Sequence, residues 1–245
     1  MWNKEHKILG ILGGMGPLAT QLFYRQIIER TEASCDQEHV DIILFNHASM
    51  PDRTTALISG KGEELFARLM EDAQRLQRYG ATAIAIPCNT SHFFADRLQE
   101  ELSIPIINMI RETAIFVANS AKQVNCVGIL ATDGTINGGL YQKAFEELGV
   151  KPIVPSDRNQ ALVMKIIYEG IKGGSPIDYD DFMAIEDELL ANGCQAVVLA
   201  CTELSCFKEM YRLPDYYIDA MEVLADKSIE ACGKQVKKEL IRIEF

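Results

Sequence analysis

Two stretches of the chain end alike, on a cysteine that could do chemistry. Residues 80–90 read GATAIAIPCNT and residues 193–203 read GCQAVVLACTE. Each runs from a glycine through an apolar segment to a cysteine, Cys88 or Cys201, and then into polar residues. A thiolate on one face of a carbon acid can take its proton while a thiol on the other face returns one. In the reverse direction the roles exchange, so inversion at a Cα asks for a symmetric pair, and the sequence supplies one. Both cysteines are expected where a strand ends and a helix begins, a place that lowers a thiol pKa from its usual value of about 8.5. Asn89, Thr90 and Ser91 after Cys88, and Thr202 after Cys201, are expected to hold a substrate carboxylate and to stabilise charge as the proton leaves. Glu203 reads as a charge favoured by a helix N-terminus or as a group orienting a neighbour of Cys201.

The elements that must position this pair alternate in type. Strands are expected at 7–12, 40–45, 81–86 and 104–107. Between them fall helices at 17–32, opened by Pro17, at 62–79, with Leu65, Leu69, Ala73 and Leu76 on one face, and at 91–102. The second half repeats the first. GILGGMG at 10–16 resembles GILATDG at 128–134, and each Gly-to-Cys segment follows a helix, the second at 181–192. The fold class is α/β: two similar lobes, each a parallel sheet flanked by helices, related by a pseudo-twofold axis. Residues 1–113 plus 223–245 form the expected N-terminal lobe and 114–222 the C-terminal lobe, with a last helix at 221–238 packing back on the first. Ligands of such sheets bind beyond the carboxyl ends of the strands, so both thiols are expected in the cleft between the lobes.

Bulk properties narrow the function. The net charge of −11 disfavours nucleic acid or an anionic membrane as partner. No apolar run reaches the roughly 18 residues of a membrane span, and the start MWNKEHKILGILGG lacks a signal-peptide pattern, so a cytoplasmic location is expected. The seven cysteines include no CxxC, and neither a disulfide framework nor a structural zinc site is expected. Cys35, Cys126, Cys194, Cys206 and Cys232 read as packed thiols.

Five segments together, LGGMGPLAT (12–20), MPDR (50–53), PCNTSH (87–92), GILATDGT (128–135) and ACTEL (200–204), resemble the aspartate/glutamate racemase family, most of all its aspartate racemase branch. The resemblance implies a two-lobed homodimer with no pyridoxal phosphate, metal or nucleotide, acting on a small dicarboxylic amino acid with Cys88 and Cys201 as catalytic acid and base. It also implies that Arg53 and Lys172 grip the substrate carboxylates, a bidentate and a point-charge cation for two anionic groups. Thr132 joins the same site. His92 is expected to cap or pack within its helix, and His47 to border the cleft.

Other readings compete for the same residues. Residues 14–19 fit GxGxxA, but the strand after them lacks the acidic end of a dinucleotide site. An isomerase or decarboxylase of small dicarboxylic acids, or a hydantoin racemase, would use the same scaffold. Two retained cysteines and two cations favour racemisation of an acidic amino acid. A two-lobed binding protein would have no need of paired thiols.

Overall fold

The computed structural model describes residues 6–120 and 123–238. Its strands form two four-stranded parallel sheets of the same topology. In the first, β1 (Ile8–Gly13) lies between β2 (Asp41–Asn46) and β3 (Ala83–Ala85), with β4 (Ile106–Ile107) beyond β3, giving the order β2-β1-β3-β4. In the second, β5 (Cys126–Leu130), β6 (Lys151–Ile153), β7 (Ala196–Leu199) and β8 (Tyr217–Asp219) take the matching order β6-β5-β7-β8. The cysteine-bearing segments therefore follow equivalent strands, β3 and β7, each beside the first strand of its sheet.

The helices explain why the strand residues are apolar on both faces. The first sheet carries α1 (Pro17–Arg30), the short α2 (Arg53–Ile58), α3 (Gly62–Arg78), α4 (Ala95–Glu101) and α5 (Met109–Ala118). The second carries α6 (Asp133–Asn137), α7 (Leu140–Glu147), α8 (Asp157–Lys165), α9 (Tyr179–Ala191), α10 (Thr202–Tyr211) and α11 (Ala220–Ala231). Ile84 of β3 packs outward with Leu65, Leu69, Ala73 and Leu76 of α3, the face read from the sequence. Val197 and Leu199 of β7 pack outward with Ile185 and Leu189 of α9. The opposite faces, Leu9, Ile11 and Ala85 in one sheet and Val127, Ile129, Ala196 and Val198 in the other, join a single interior cluster with residues of α1, α5 and α11. Each large aliphatic side chain buried there is worth about 1.5–3 kcal/mol.

Several elements are shorter than the sequence suggests. The third strand pairs only over Ala83–Ala85, because Ile86 and Pro87 leave the ladder to turn toward Cys88. The helix expected at 91–102 begins as a 3-10 turn at Thr90–Phe94 and becomes α-helical only over Ala95–Glu101. The last helix ends at Ala231 rather than near 238. Gly233 then adopts φ +73°, and Val236 bridges Thr31 at the end of α1. α5 runs through the expected lobe boundary at residue 113, and α11 shares its interior packing with α1 and α5. Residues 1–5 and 239–245, assigned by sequence to the N-terminal lobe, lie outside the described residues.

Candidate active site

Each thiol is fixed by the turn that ends its strand. The Cys88 N–H bonds the Ile86 carbonyl at 2.7 Å, folding the chain tightly after β3. One turn on, His92 Nε2 accepts the Met109 N–H at 3.1 Å, so Nδ1 carries the proton donated to the Cys88 carbonyl at 2.9 Å. Burial pushes the His92 pKa down, against the pull of the Cys88 and Ile107 backbone groups, and the ring is a neutral strut between Cys88 and α5. Cys201 is the N-cap residue of α10. Both sulfurs belong to nearly buried residues that line one small chamber between the sheets, of about 10 Å³.

The chamber collects most of the expected site residues: Arg53, Asn89, Thr90, Thr132, Lys172 and Thr202 line it with the two cysteines. Asn89 accepts the Tyr141 hydroxyl at 2.6 Å through Oδ1, which leaves its buried Nδ2 as a donor with no hydrogen-bond partner. Arg53 opens α2, donates to the Pro51 carbonyl at 3.2 Å, and has its buried Nε likewise unpartnered. Burial opposes the Arg53 charge, but the Cys88 sulfur, Asp52 and Glu203 around it raise its pKa overall. Thr90 Oγ1 lies 3.1 Å from Thr132 Oγ1 and 2.9 Å from Thr135 Oγ1, tying the two lobes together at the chamber wall. Gly134 makes that contact possible, since a Cβ there would sit 3.0 Å from the Thr54 Cα and 3.1 Å from Thr90.

Two expected residues face elsewhere. Ser91 is fully buried and donates to Met15 Sδ at 3.4 Å, so it braces the glycine-rich loop and does not line the chamber. His47 does not line the chamber either, and its Nδ1 lies 2.5 Å from Asp72 Oδ2. The glycine-rich loop itself passes close to His47. Gly14 has φ +95°, and a Cβ on it would lie 2.4 Å from the His47 carbonyl carbon.

The site also contains residues that the sequence did not single out. Asp52 caps α2 through the Thr55 N–H at 2.9 Å and accepts the Tyr168 hydroxyl at 3.1 Å. Burial raises the Asp52 pKa, but the Thr55 bonds, Lys172 and Arg53 bring it below the usual carboxylate range. Lys172 sits at the end of a π-helical turn, Ile166–Lys172, with Nζ 3.8 Å from Asp52 Oδ2, 3.7 Å from Glu203 Oε1 and 4.3 Å from the centre of the Tyr168 ring. Tyr168 lies four residues before Lys172, a spacing that could have flagged it. Asp52, Arg53, Lys172 and Glu203 also line an outer cavity of about 320 Å³ whose other walls include Pro17, Leu18, Ala19, Ala48, Met50 and Ile171. These four charged side chains stand between the outer cavity and the thiols. The inner chamber has room for about one water, so an amino acid reaches the sulfurs only when they part.

The expected lowering of both thiol pKa values does not hold at Cys201. Burial pushes that thiol well above its usual range, Glu203 adds to the effect through its charge and a hydrogen bond, and Lys172 opposes it only in part. The 3-10 turn after Cys88 is five residues long, too short for the dipole of a full helix. Among the other cysteines, Cys35 is exposed rather than packed, while Cys194, Cys206 and Cys232 are buried.

Residues 12–227 match the family described as Asp/Glu/hydantoin racemase. The chain is 25% identical over 228 residues to the broad-specificity amino-acid racemase of Bacillus subtilis, covering 91% of this chain and 96% of that one. Among solved structures, the aspartate racemase of Picrophilus torridus superposes with a TM-score of 0.77 at 31% identity, covering 95% of this chain and 97% of that one. An aspartate racemase homologue from Pyrococcus horikoshii gives 0.72 at 26%, covering 93% and 99%. The chain belongs to the Asp/Glu/hydantoin racemase family and is an enzyme of the amino-acid racemase class, with the two-sheet fold of its solved relatives. Among the described residues no helix is long and apolar enough to cross a membrane.

Proposed function

We propose that the chain interconverts the enantiomers of an acidic amino acid, aspartate first, by proton transfer between Cys88 and Cys201 without a bound cofactor. The observation that carries this reading is the chamber itself. Two sulfurs on equivalent strand ends line it, together with two buried donors, Asn89 Nδ2 and Arg53 Nε, that have no partner of their own. Such donors suit a carboxylate, and a carboxylate held there places its Cα between the thiols. One sulfur, as thiolate, takes the Cα proton. The other, as thiol, delivers its proton to the opposite face, and the substrate leaves inverted. The donors also stabilise the negative charge that spreads onto the carboxylate as the Cα–H bond breaks. Arg53 and Lys172 supply cations for two carboxylates, which favours a dicarboxylate.

Aspartate and glutamate differ by one methylene, and a pocket separates such a pair by only about 1–3 kcal/mol. The apolar walls of the outer cavity, Leu18, Ala19, Ala48, Met50 and Ile171, favour a second and wider reading, in which larger amino acids are also accepted. Proton NMR in D₂O tests both. Incubation with L- and D-aspartate, L- and D-glutamate and larger amino acids is expected to show deuterium entering Cα with racemisation, fastest for aspartate and lost in Cys88→Ala and Cys201→Ala. Absence of exchange with every acid would overturn the proposal, and faster exchange with larger amino acids would move the wider reading ahead.

A further inference from the structure

The two thiols share one chamber, but their neighbours carry opposite charge. Glu203 is a buried carboxylate whose Oε2 lies 3.0 Å from Cys201 Sγ, and its Oε1 lies 3.7 Å from Lys172 Nζ. A Cβ at Gly16 would come within 3.3 Å of the same Oε1, so the loop at this glycine also confines the carboxylate. A carboxylate and a thiolate at 3.0 Å cannot both be charged at ordinary cost. A carboxylic acid is the stronger acid by about four pKa units, so the shared proton belongs on sulfur. At the other thiol a cation, the buried Arg53 guanidinium, lines the same chamber and interacts with the Cys88 sulfur.

Resting on the racemase reading, we propose that Glu203 is a positioning residue that holds the resting proton on Cys201 and so leaves Cys88, beside Arg53, as the resting base. The other groups around the pair do not reverse this. Lys172 approaches from the π-helical turn but divides its charge between Glu203 and Asp52. Tyr168 is bonded to Asp52, Tyr141 to Asn89, and His92 is neutral. Cys206 faces Glu203 from the next turn of α10 and stays a thiol, its pKa pushed up to about 12 by burial and then by the charge of Glu203.

The proton balance then has a direction. The resting enzyme takes the enantiomer whose Cα–H points at Cys88: that proton passes to the Cys88 sulfur, and the Cys201 proton passes to the opposite face of Cα. The product leaves behind a Cys201 thiolate next to the Glu203 carboxylate. A proton must return from solvent to Cys201, and one must leave Cys88, before the same direction can run again. Enantiomers are equal in energy, so kcat/KM is the same both ways, while kcat and KM separately differ between the two.

Iodoacetamide labelling of each cysteine, followed by peptide mass spectrometry from pH 6 to 10, tests the assignment without using racemisation. In the wild-type chain Cys88 is expected to label at lower pH than Cys201, and at neutral pH at least about tenfold faster. Glu203→Gln keeps the size of the side chain and removes its charge, so it is expected to speed Cys201 labelling about tenfold or more and to leave Cys88 within about twofold. Glu203→Asp restores the charge and is expected to return Cys201 toward wild-type behaviour. Faster labelling of Cys201 than Cys88 in the wild-type chain would overturn the proposal with no variant needed, and so would an unchanged Cys201 profile in a folded Glu203→Gln. If amino acids fail to exchange in D₂O, the racemase reading falls, but the labelling order still decides where the resting proton lies.

Discussion

Cys88 and Cys201 follow equivalent strands of two sheets with the same strand order, yet little around them is the same. Four residues after each cysteine stands a side chain that ties its segment to the start of the helix after the following strand. After Cys88 it is His92, whose Nε2 takes the Met109 N–H of α5. After Cys201 it is Ser205, which donates at 2.7 Å to Asp219, and Asp219 Oδ1 in turn takes the Met221 N–H of α11 at 2.8 Å. One lobe makes the tie with a neutral ring and the other with a hydroxyl and a buried carboxylate. The charged neighbours differ in the same way, Arg53 on one side and Glu203 on the other. The repeated fold puts two sulfurs in one chamber, and the unrepeated neighbours decide what each sulfur does there.

The comparison can be broken at several points. The largest effect is expected from the thiols themselves. Alanine at either position removes one of two proton-transfer groups and should cut the racemisation rate by about 10²–10⁴ or more. If only one substitution did so, the two positions would not be partners. Arg53 comes next. Arg53→Met leaves the Cys88 side without its cation and should lower kcat/KM by about 30-fold or more, the scale of a lost charged hydrogen bond, and Arg53→Lys should recover only part of it, as steady-state kinetics would show.

Tyr141→Phe is a gentler test. It frees the Asn89 amide to rotate, removing a hydrogen bond worth about 0.5–1.5 kcal/mol, and should raise KM by about two- to tenfold with kcat less affected. An unchanged KM would remove Asn89 from the carboxylate site. The smallest effect concerns stability. The His92 pKa is lower in the folded chain than in the unfolded one, so unfolding takes up a proton. The stability tied to this ring is complete above the unfolded value of about 6.5 and is lost as the pH falls below it. Thermal melts of the wild-type chain and His92→Gln should therefore differ most above pH 7 and converge toward pH 5.

Much of this was legible in the sequence because it is periodic or repeated. The Gly-to-Cys repeat gave the two equivalent strand ends, and the spacing of Leu65, Leu69, Ala73 and Leu76 gave the buried face of α3. The rest depends on contacts between distant parts of the chain. The last helix could not be ended from its own pattern, because its stop comes from the turn at Gly233 and from Val236 bridging Thr31. Ser91 read as a substrate ligand from its place after Cys88, but the 3-10 turn points it at Met15. The thiol expectation at Cys201 went wrong for a physical reason: a helix end favours the thiolate weakly, while burial and a carboxylate at 3.0 Å disfavour it strongly. Lys172 was found by its resemblance, yet nothing in its spacing announced the π-helical turn that carries it.

The interior shared by the two sheets has a consequence for how the molecule opens and how it comes apart. Leu9 and Ile11 of one sheet and Val127 and Val198 of the other lie in the same apolar cluster, so the two sheets share one core. Swinging the sheets apart like a clamshell would expose that core to water. Substrate entry is cheaper as a local rearrangement of Asp52, Arg53, Lys172 and Glu203 at the rim. For the same reason both sheets are expected to unfold in one cooperative transition, with calorimetric and van't Hoff enthalpies equal.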